Sequence, residues 1–513
     1  MDPIELSIFA SRIAAVCDEM GAVLQRAAFS PNIRDRLDYS CAVFDAQGNL
    51  CAQAAHIPVH LGSMAYAMRD IVQNQVWQAG DMVIVNDPFL GGTHLPDVTV
   101  IAPVFVNDIL QAFVANRAHH ADIGSESPGS MPISSRLEEE GVIIPPTHLV
   151  RAGVLDEEVL NGILAQTRSA LEGRGDFAAQ LSANRTGVRR LAQLITQLGT
   201  GSFNAALAAL NDYGERLAMH TLAAIPDGEY RFQDLMDDDG LGNHDLAIQV
   251  TLTVRGHEID VDFRGTSGQT PGNINSPLSV AAAAVYYVFR CLMPPQVPAC
   301  AGSFRSIHIH APTGCLVNAQ RPAAVAAGNV ETSTRIVDVV MGALAQAIPT
   351  QIPAASHGSM NNLAMGGTGQ RNWDYYETMG GGMGAGPRYP GLNGVQTHMT
   401  NTRNTPIEVL ESRYPIRVNI YSMRPGSGGG GQHSGGDGLI RQFEFLEPAM
   451  VTLLTERRRH SPWGLNNGQP GQTGENRLNG RTLSPKVCLQ VKPGDRLSLA
   501  SAGGGGWGKT LDA

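Results

Sequence analysis

Between Asn86 and Gly129 the chain concentrates residues that bind metals and move protons: His94 and Asp97 in NDPFLGGTHLPDVTVIAPVF, then His119, His120 and Asp122 in VANRAHHADIGSESPG. Two imidazoles and one carboxylate are mixed nitrogen and oxygen donors that leave coordination positions open. Such a set suits Zn, Mn or Fe, whereas calcium takes oxygen alone. His94 and Asp97 stand at i and i+3 in a glycine-bearing loop, and His119 stands where a strand is expected to run out. These three are the expected metal ligands. Alternate residues of a strand face opposite sides, so His120 and Asp122 are expected to support the ligands or meet substrate as catalytic groups. Asp38, in NIRDRLDYS, is a candidate general base if its hairpin faces the metal, with Asp35 behind it. The bland alternative is that these polar groups hydrogen-bond their own turns; it serves for any single histidine and less well for the constellation.

The elements that must carry these residues follow from hydrophobic periodicity. Residues 81–85 and 98–105 read as strands joined by the loop holding Gly91, Gly92 and His94, and residues 111–115 as a third strand leading into His119. RDRLDYSCAVFDAQGNLCAQ alternates, turns at residues 46–49 and returns. Residues 3–29 and 63–76 repeat apolar side chains at helical steps. From 155 to about 224 the composition turns to Ala, Leu, Gln, Arg and Glu with helical spacing and a break near residues 199–202. GEYRFQDLM, LAIQVTLTVRG and HEIDVDFRGTS then form a meander, followed by helices over 279–292 and 331–347. Beyond 353 glycine dominates, with strand-like runs at 415–421, 439–445 and 487–499. The expected architecture is α+β and multi-domain, with several mostly antiparallel sheets. Its parts are an N-terminal α/β domain with the metal site (1–154), a helical arm (155–226), an α+β domain (227–352) and a glycine-rich, β-containing C-terminal domain (353–513).

A formal net charge of -10 with no basic block argues against a nucleic-acid partner. No stretch approaches the roughly 20 apolar residues needed to cross a bilayer, and MDPIELSIFASRIAAVCDEMG has acids where a signal peptide needs Lys or Arg. The seven cysteines are scattered with no CxxC pair, so neither a disulfide framework nor a cysteine zinc site is expected; a reducing cytoplasm fits.

Residues 503–510, GGGGWGKT, satisfy the phosphate-loop pattern GxxxxGK[ST]. That pattern works only where its amides open a helix after a strand, and just three residues follow, so nucleotide binding is rejected. Residues 380–386 lack the acidic strand end of a dinucleotide site, but their amides are expected to be able to approach a substrate. No cysteine lies in a His-bearing nucleophile motif.

NDPFLGGTHLPDVTVIAPVF, NRAHHADIGSESPGSMP, SPNIRDRLDYSCAVFDAQGNL, EEGVIIPPTHL, TNTRNTPIEVLESRYP and the late GGGGWG together resemble the hydantoinase B family, over nearly the full length. That family includes N-methylhydantoinase B, the C-terminal half of 5-oxoprolinase and the alpha subunit of acetone carboxylase. Around the late glycine loop this chain departs from the family pattern, reading RPGSGGGGQHSGGDG. The resemblance implies a two-subunit, ATP-dependent enzyme. A hydantoinase A-like partner would bind ATP and Mg, and this chain would hold a metal at His94, Asp97 and His119 and carry the second half-reaction. It implies hydrolysis of a cyclic amide whose carbonyl oxygen has been phosphorylated, with Asp38 as base. Two rivals keep the architecture: an acetone- or acetophenone-carboxylase-like ligase, against which the shorter length counts, and a non-catalytic scaffolding subunit.

Overall fold

The computed structural model describes residues 2–54, 57–368 and 373–510. Its first sheet comprises β1 (Tyr39–Asp45), β2 (Leu50–Gln53), β3 (Met82–Val85), β4 (Asp97–Val106), β5 (Ile109–His119), β6 (Thr147–Arg151) and β7 (Val154–Leu155), in the order β2-β1-β5-β4-β3-β6-β7. Every pairing is antiparallel. β4 and β5 are buried along nearly their whole length, because helices cover both faces. The helix Pro58–Gln73 lays Met64, Met68 and Ile71 on Phe44, Ile101 and Phe113. Helices Pro3–Ala27 and Ala170–Leu198 cover the other face, the first opened by a capping box between Asp2 and Glu5.

The expected helical arm is present as helices but does not stand off as an arm. Ala170–Leu198 and Thr200–Leu222 break at Gly199, as the sequence suggests. Their Phe177, Leu191, Ile195 and Phe203 share one core with Phe9, Ile13 and Met20 of the first helix. An apolar stripe has to be buried against something, and here the sheet supplies it.

β8 (Gly228–Asp238), β9 (His244–Arg255) and β10 (Glu258–Asp262) form the expected meander, and β11 (Ile307–His310) adds in parallel to β10. Helices Leu278–Leu292 and Ser333–Ala347 pack on this sheet in a second core. Leu278–Leu292 also runs against the Pro58–Gln73 helix so closely that a Cβ on Gly62 would lie 2.5 Å from Ala283 Cα. The two cores are thereby tied together.

The remaining strands are β12 (Asn362–Gly367), β13 (Asp374–Glu377), β14 (Ile416–Arg424), β15 (Gly438–Phe445), β16 (Ala449–Leu454), β17 (Glu475–Leu478), β18 (Arg481–Thr482), β19 (Lys486–Val491) and β20 (Arg496–Ala500). They form two antiparallel sheets, β13-β12-β16-β19 and β14-β15-β20-β17-β18. Glycine segments pack with them backbone on backbone: a Cβ on Gly504 would lie 2.1 Å from the Met383 carbonyl oxygen, and one on Gly506 2.1 Å from that of Gly430. The amides of residues 503–508 all donate within this bundle, Gly504 to Gly436, Gly505 to Ala355 and Gly506 to Gln469 among them. They have no hydrogen left for a phosphate; residues 511–513, which would have to form the helix, lie outside the described residues. The amides of residues 381–386 are likewise engaged, with Val395, Ala502, Leu392, Ser356, Gly505 and Tyr389, so they are not free for a substrate. Among the described residues no helix is long and apolar enough to cross a membrane.

Candidate metal centre

Asp97 and His119 are directly opposed end residues of β4 and β5. The His119 amide donates to the Asp38 carbonyl at 3.0 Å, just ahead of β1. Three neighbouring strand ends thus bring Asp38, His119 and Asp97 into one row. The loop before β4 adds His94, whose carbonyl accepts from the Asp97 amide at 3.1 Å. Asn86 pins that loop: its Nδ2 donates to the carbonyls of Leu95 (2.8 Å) and Val142 (2.9 Å), and its Oδ1 accepts from the Ile144 amide (2.7 Å). Gly92 crosses Asn86 so closely that a Cβ would lie 2.1 Å from the Asn86 carbonyl oxygen. One donor atom from each of His94, Asp97 and His119 lies within 4.8 Å of the others, and all three side chains are buried.

The two Asp97 oxygens differ. Oδ2 accepts from Thr93 Oγ1 at 2.6 Å and Asn329 Nδ2 at 3.3 Å, and lies 3.1 Å from His60 Nε2 and 3.3 Å from His94 Nε2. Oδ1 has no hydrogen-bond partner, and neither has Nε2 of His94 or of His119. His94 Nδ1 sits 3.3 Å from the Ala326 carbonyl. A carbonyl only accepts, so Nδ1 carries the proton and the Nε2 lone pair faces the carboxylate. Such an arrangement is repulsive unless a cation, a second proton or a metal ion, lies with it. Buried donors left without partners, two imidazoles and a carboxylate fit a divalent transition ion.

Burial alone would raise the Asp97 carboxyl, but His60 and His94 beside it hold it well below its usual range. Burial works against protonation of His94, yet the adjacent Asp97 raises it overall. Burial pushes His119 down to about 4, which leaves it a free lone pair at neutral pH. The cluster lines a cavity of about 20 Å³, room for roughly one water-sized group. Opposite the ligands stand Thr378, Thr400 and Thr402, whose hydroxyls contact one another at 2.8 and 3.4 Å. Behind them is the buried Arg36, Nη2 of which reaches Thr378 (3.3 Å), Thr402 (3.5 Å) and the Asp38 carboxylate (3.7 Å). His119 stacks on Tyr376 at 4.7 Å; the Tyr376 hydroxyl donates to Asn362 Oδ1 and Asn362 Nδ2 to Glu331 Oε1, each at 2.6 Å.

Of the seven residues singled out from sequence, the fold brings His94, Asp97, His119 and Asp38 to one cavity. His120 and Asp122 lie elsewhere. One residue past His119, His120 turns to the other face of the sheet, where Nε2 meets Gln180 Oε1 at 2.9 Å and the ring packs on Phe177. Asp122 accepts from the amides of Gly124 (2.8 Å), Arg168 (2.5 Å) and Ser169 (3.2 Å), anchoring the turn before the Ala170–Leu198 helix. Asp35 is turned to Arg34 at 2.9 Å. Sequence reasoning missed His60. Its one local signal is Pro58 at the start of the helix, a position proline favours, which moves the start back from residue 63 and puts His60 on the buried side. Asn329, carried on the π-helical turn Gly328–Thr332, has no comparable signal.

The hydantoinase B/oxoprolinase family profile matches residues 2–510. 5-oxoprolinase 1 of Arabidopsis thaliana is 39% identical across 99% of this chain, which spans only 42% of that protein's length. A Pseudomonas sp. protein named as the B component of a D-/L-hydantoinase is 32% identical, with 100% of this chain and 91% of that one covered. The crystal structure of the ATP-dependent caprolactamase from Pseudomonas jessenii superposes with a TM-score of 0.92 at 28% identity, covering 99% of this chain and 91% of that one. Nucleotide-free acetone carboxylase, at 16% identity and a TM-score of 0.88 over 99% of this chain and 76% of that one, shares the fold. These relatives and structures that share this fold are named as enzymes. The chain is a member of the hydantoinase B/oxoprolinase family.

Proposed function

We propose that this chain is the B-type half of an ATP-dependent enzyme that opens a cyclic amide, working with a hydantoinase A-type partner that holds ATP and Mg and phosphorylates the substrate's carbonyl oxygen. The observation that carries the reading is the buried trio His94, Asp97 and His119, which gathers one ligand atom from each within 4.8 Å and leaves His94 Nε2, Asp97 Oδ1 and His119 Nε2 without hydrogen-bond partners. It is joined to the names of relatives that open cyclic amides, 5-oxoprolinase and caprolactamase. These three residues would hold Zn, Mn or Fe, and such an ion supplies Lewis acidity at the reacting carbon's substituents. Asp38, on the cavity wall, takes the proton of the attacking water as general base. The hydroxyls of Thr378 and Thr402, held by Arg36, and of Thr400 beside Thr402 donate to substrate oxygens. Ile57, Val59, Met360 and Met399 keep bulk water from the cavity. An amide is a poor electrophile; with its oxygen phosphorylated in the partner, water adds to the carbon as Asp38 takes its proton, the ring C–N bond breaks with that proton passing to the nitrogen, and the phosphoryl group leaves by hydrolysis as phosphate.

Co-expression with an A-type partner tests this. The purified complex should retain about one transition-metal ion per copy of this chain and open 5-oxoproline or a hydantoin with release of ADP. ATP-dependent incorporation of labelled carbon dioxide into a ketone, with no ring opening, would favour the carboxylase-like ligase instead. A complex that holds no ion and turns over nothing would mark a scaffolding role.

A further inference from the structure

Three successive glutamates follow Leu137, and the fold treats them differently. Glu138 and Glu139 are exposed, whereas Glu140 is fully buried. Its Oε1 accepts three hydrogen bonds, from Ser134 Oγ (2.7 Å) and from the amides of Val325 (2.8 Å) and Ala326 (2.9 Å). Oε2 has no partner, and among the described residues no cationic side chain forms an ion pair with Glu140. Burying an unpaired carboxyl is costly, so what it holds matters. It holds residue 326, the carbonyl of which is the partner of His94 Nδ1 at 3.3 Å. Ala326 is therefore clamped at both ends, by Glu140 at its amide and by His94 at its carbonyl.

We propose that Glu140 is a positioning residue: by fixing residues 325–326 it aims the Ala326 carbonyl at His94 Nδ1, which sets the tautomer and presents the Nε2 lone pair to a bound cation. The inference rests on the reading of His94 as a metal ligand. Groups that orient a ligating histidine through its second nitrogen act in this way at metal sites. Here the orienting oxygen belongs to a backbone segment far along the chain, and Glu140 makes that segment rigid. Burial pushes the Glu140 carboxyl up to about 7, but protonated or not, Oε1 goes on accepting from the two amides. A glutamine, which keeps that oxygen, should therefore keep the function.

The test titrates Co(II) into the chelator-stripped full-length chain, following the visible absorption of the bound ion and its competition with a chromogenic chelator. Glu140→Ala should weaken Co(II) binding about 10- to 100-fold and change the absorption bands, with Glu140→Gln within about threefold of wild type and spectrally unchanged. Glu140→Ala indistinguishable from wild type in both readouts, or Glu140→Gln as impaired as Glu140→Ala, would overturn the proposal. If circular dichroism shows Glu140→Ala unfolded, Ser134→Ala replaces it: binding weakened about tenfold supports the proposal, and affinity within about threefold of wild type overturns it. Failure of the underlying reading looks different, because a wild-type chain that takes up no Co(II), or one matched in uptake by His94→Ala, removes the metal site itself.

Discussion

Two of the buried polar clusters in this molecule differ in how their charges are met. The second joins β8, the Ser333–Ala347 helix and residues 455–486. Asp234 meets Arg457 at 2.7 Å and Arg335 at 3.3 Å. Asp338 meets Arg457 at 2.5 Å, and Glu456 meets Lys486 at 2.5 Å and Arg335 at 3.3 Å. These acids meet guanidinium or ammonium groups, so charge is matched within the cluster, with Asp338 Oδ1 left without a hydrogen bond, and it ties the second sheet to the C-terminal half. At the histidine cluster a single deeply buried carboxylate, Asp97, faces three imidazoles, with three donor atoms unclaimed. Burial of charge is common to both. One already holds its cations as Arg335, Arg457 and Lys486; the other gathers a ligand atom from each of two imidazoles and a carboxylate within 4.8 Å.

The contrast can be broken from either side. Asp97→Ala should cut retained metal, read by elemental analysis, below about a tenth of the wild-type content and move the unfolding midpoint much less. Arg457→Ala should do the reverse. Leaving Asp338 buried without its guanidinium, and Asp234 with Arg335 alone, costs about 3–5 kcal/mol in denaturant unfolding, while the folded fraction keeps its ion. Equal ion loss in both variants would erase the distinction.

A smaller effect comes from Glu331, which bridges the two clusters: it holds Asn362 on one side, and on the other the negative Glu456 opposes its ionisation. Burial first, and Glu456 second, raise its carboxyl to about 8. The folded chain then holds a proton that the unfolded chain releases near its ordinary value of 4.5, so this group's contribution is full below that pH and is lost as pH rises towards 8. Glu331→Gln should flatten the fall in unfolding free energy between about pH 5 and pH 8, by about a few kcal/mol at most. An unchanged slope would show that Glu331 does not titrate there. The smallest effect belongs to His120→Gln, with metal content unchanged and roughly 1 kcal/mol lost with the Gln180 hydrogen bond; ion loss would instead return His120 to the site.

Local pattern carries a good part of this. The strand-loop-strand framework around His94 and Asp97 is written in the alternation of β4 and β5, and strand parity alone separates His119 from His120. The meander and the break at Gly199 are equally local. What stays hidden in the sequence is convergence. Asn329, Tyr376, Thr402 and Glu140 reach the site from four separate segments, and no period or spacing encodes which distant loop closes over a strand end. The same holds for Asp234 and Arg457, each unremarkable in its own stretch. Residues 170–222 read as helix from their spacing but not as part of the first core, because amphipathicity tells that a face is buried and not against what.

The glycine bundle has a consequence for how the protein is made. β20, which is central in its sheet, and residues 503–508, which close the bundle, are synthesised after nearly everything they touch. Until they emerge from the ribosome β15 presents an open edge, and the carbonyls of Ala355, Gly436 and Gln469 lack the amides of Gly505, Gly504 and Gly506 that they receive. The C-terminal half is therefore complete only when residues 496–508 are in place, and a chain lacking them should keep its histidine-bearing sheet beside an open, aggregation-prone edge.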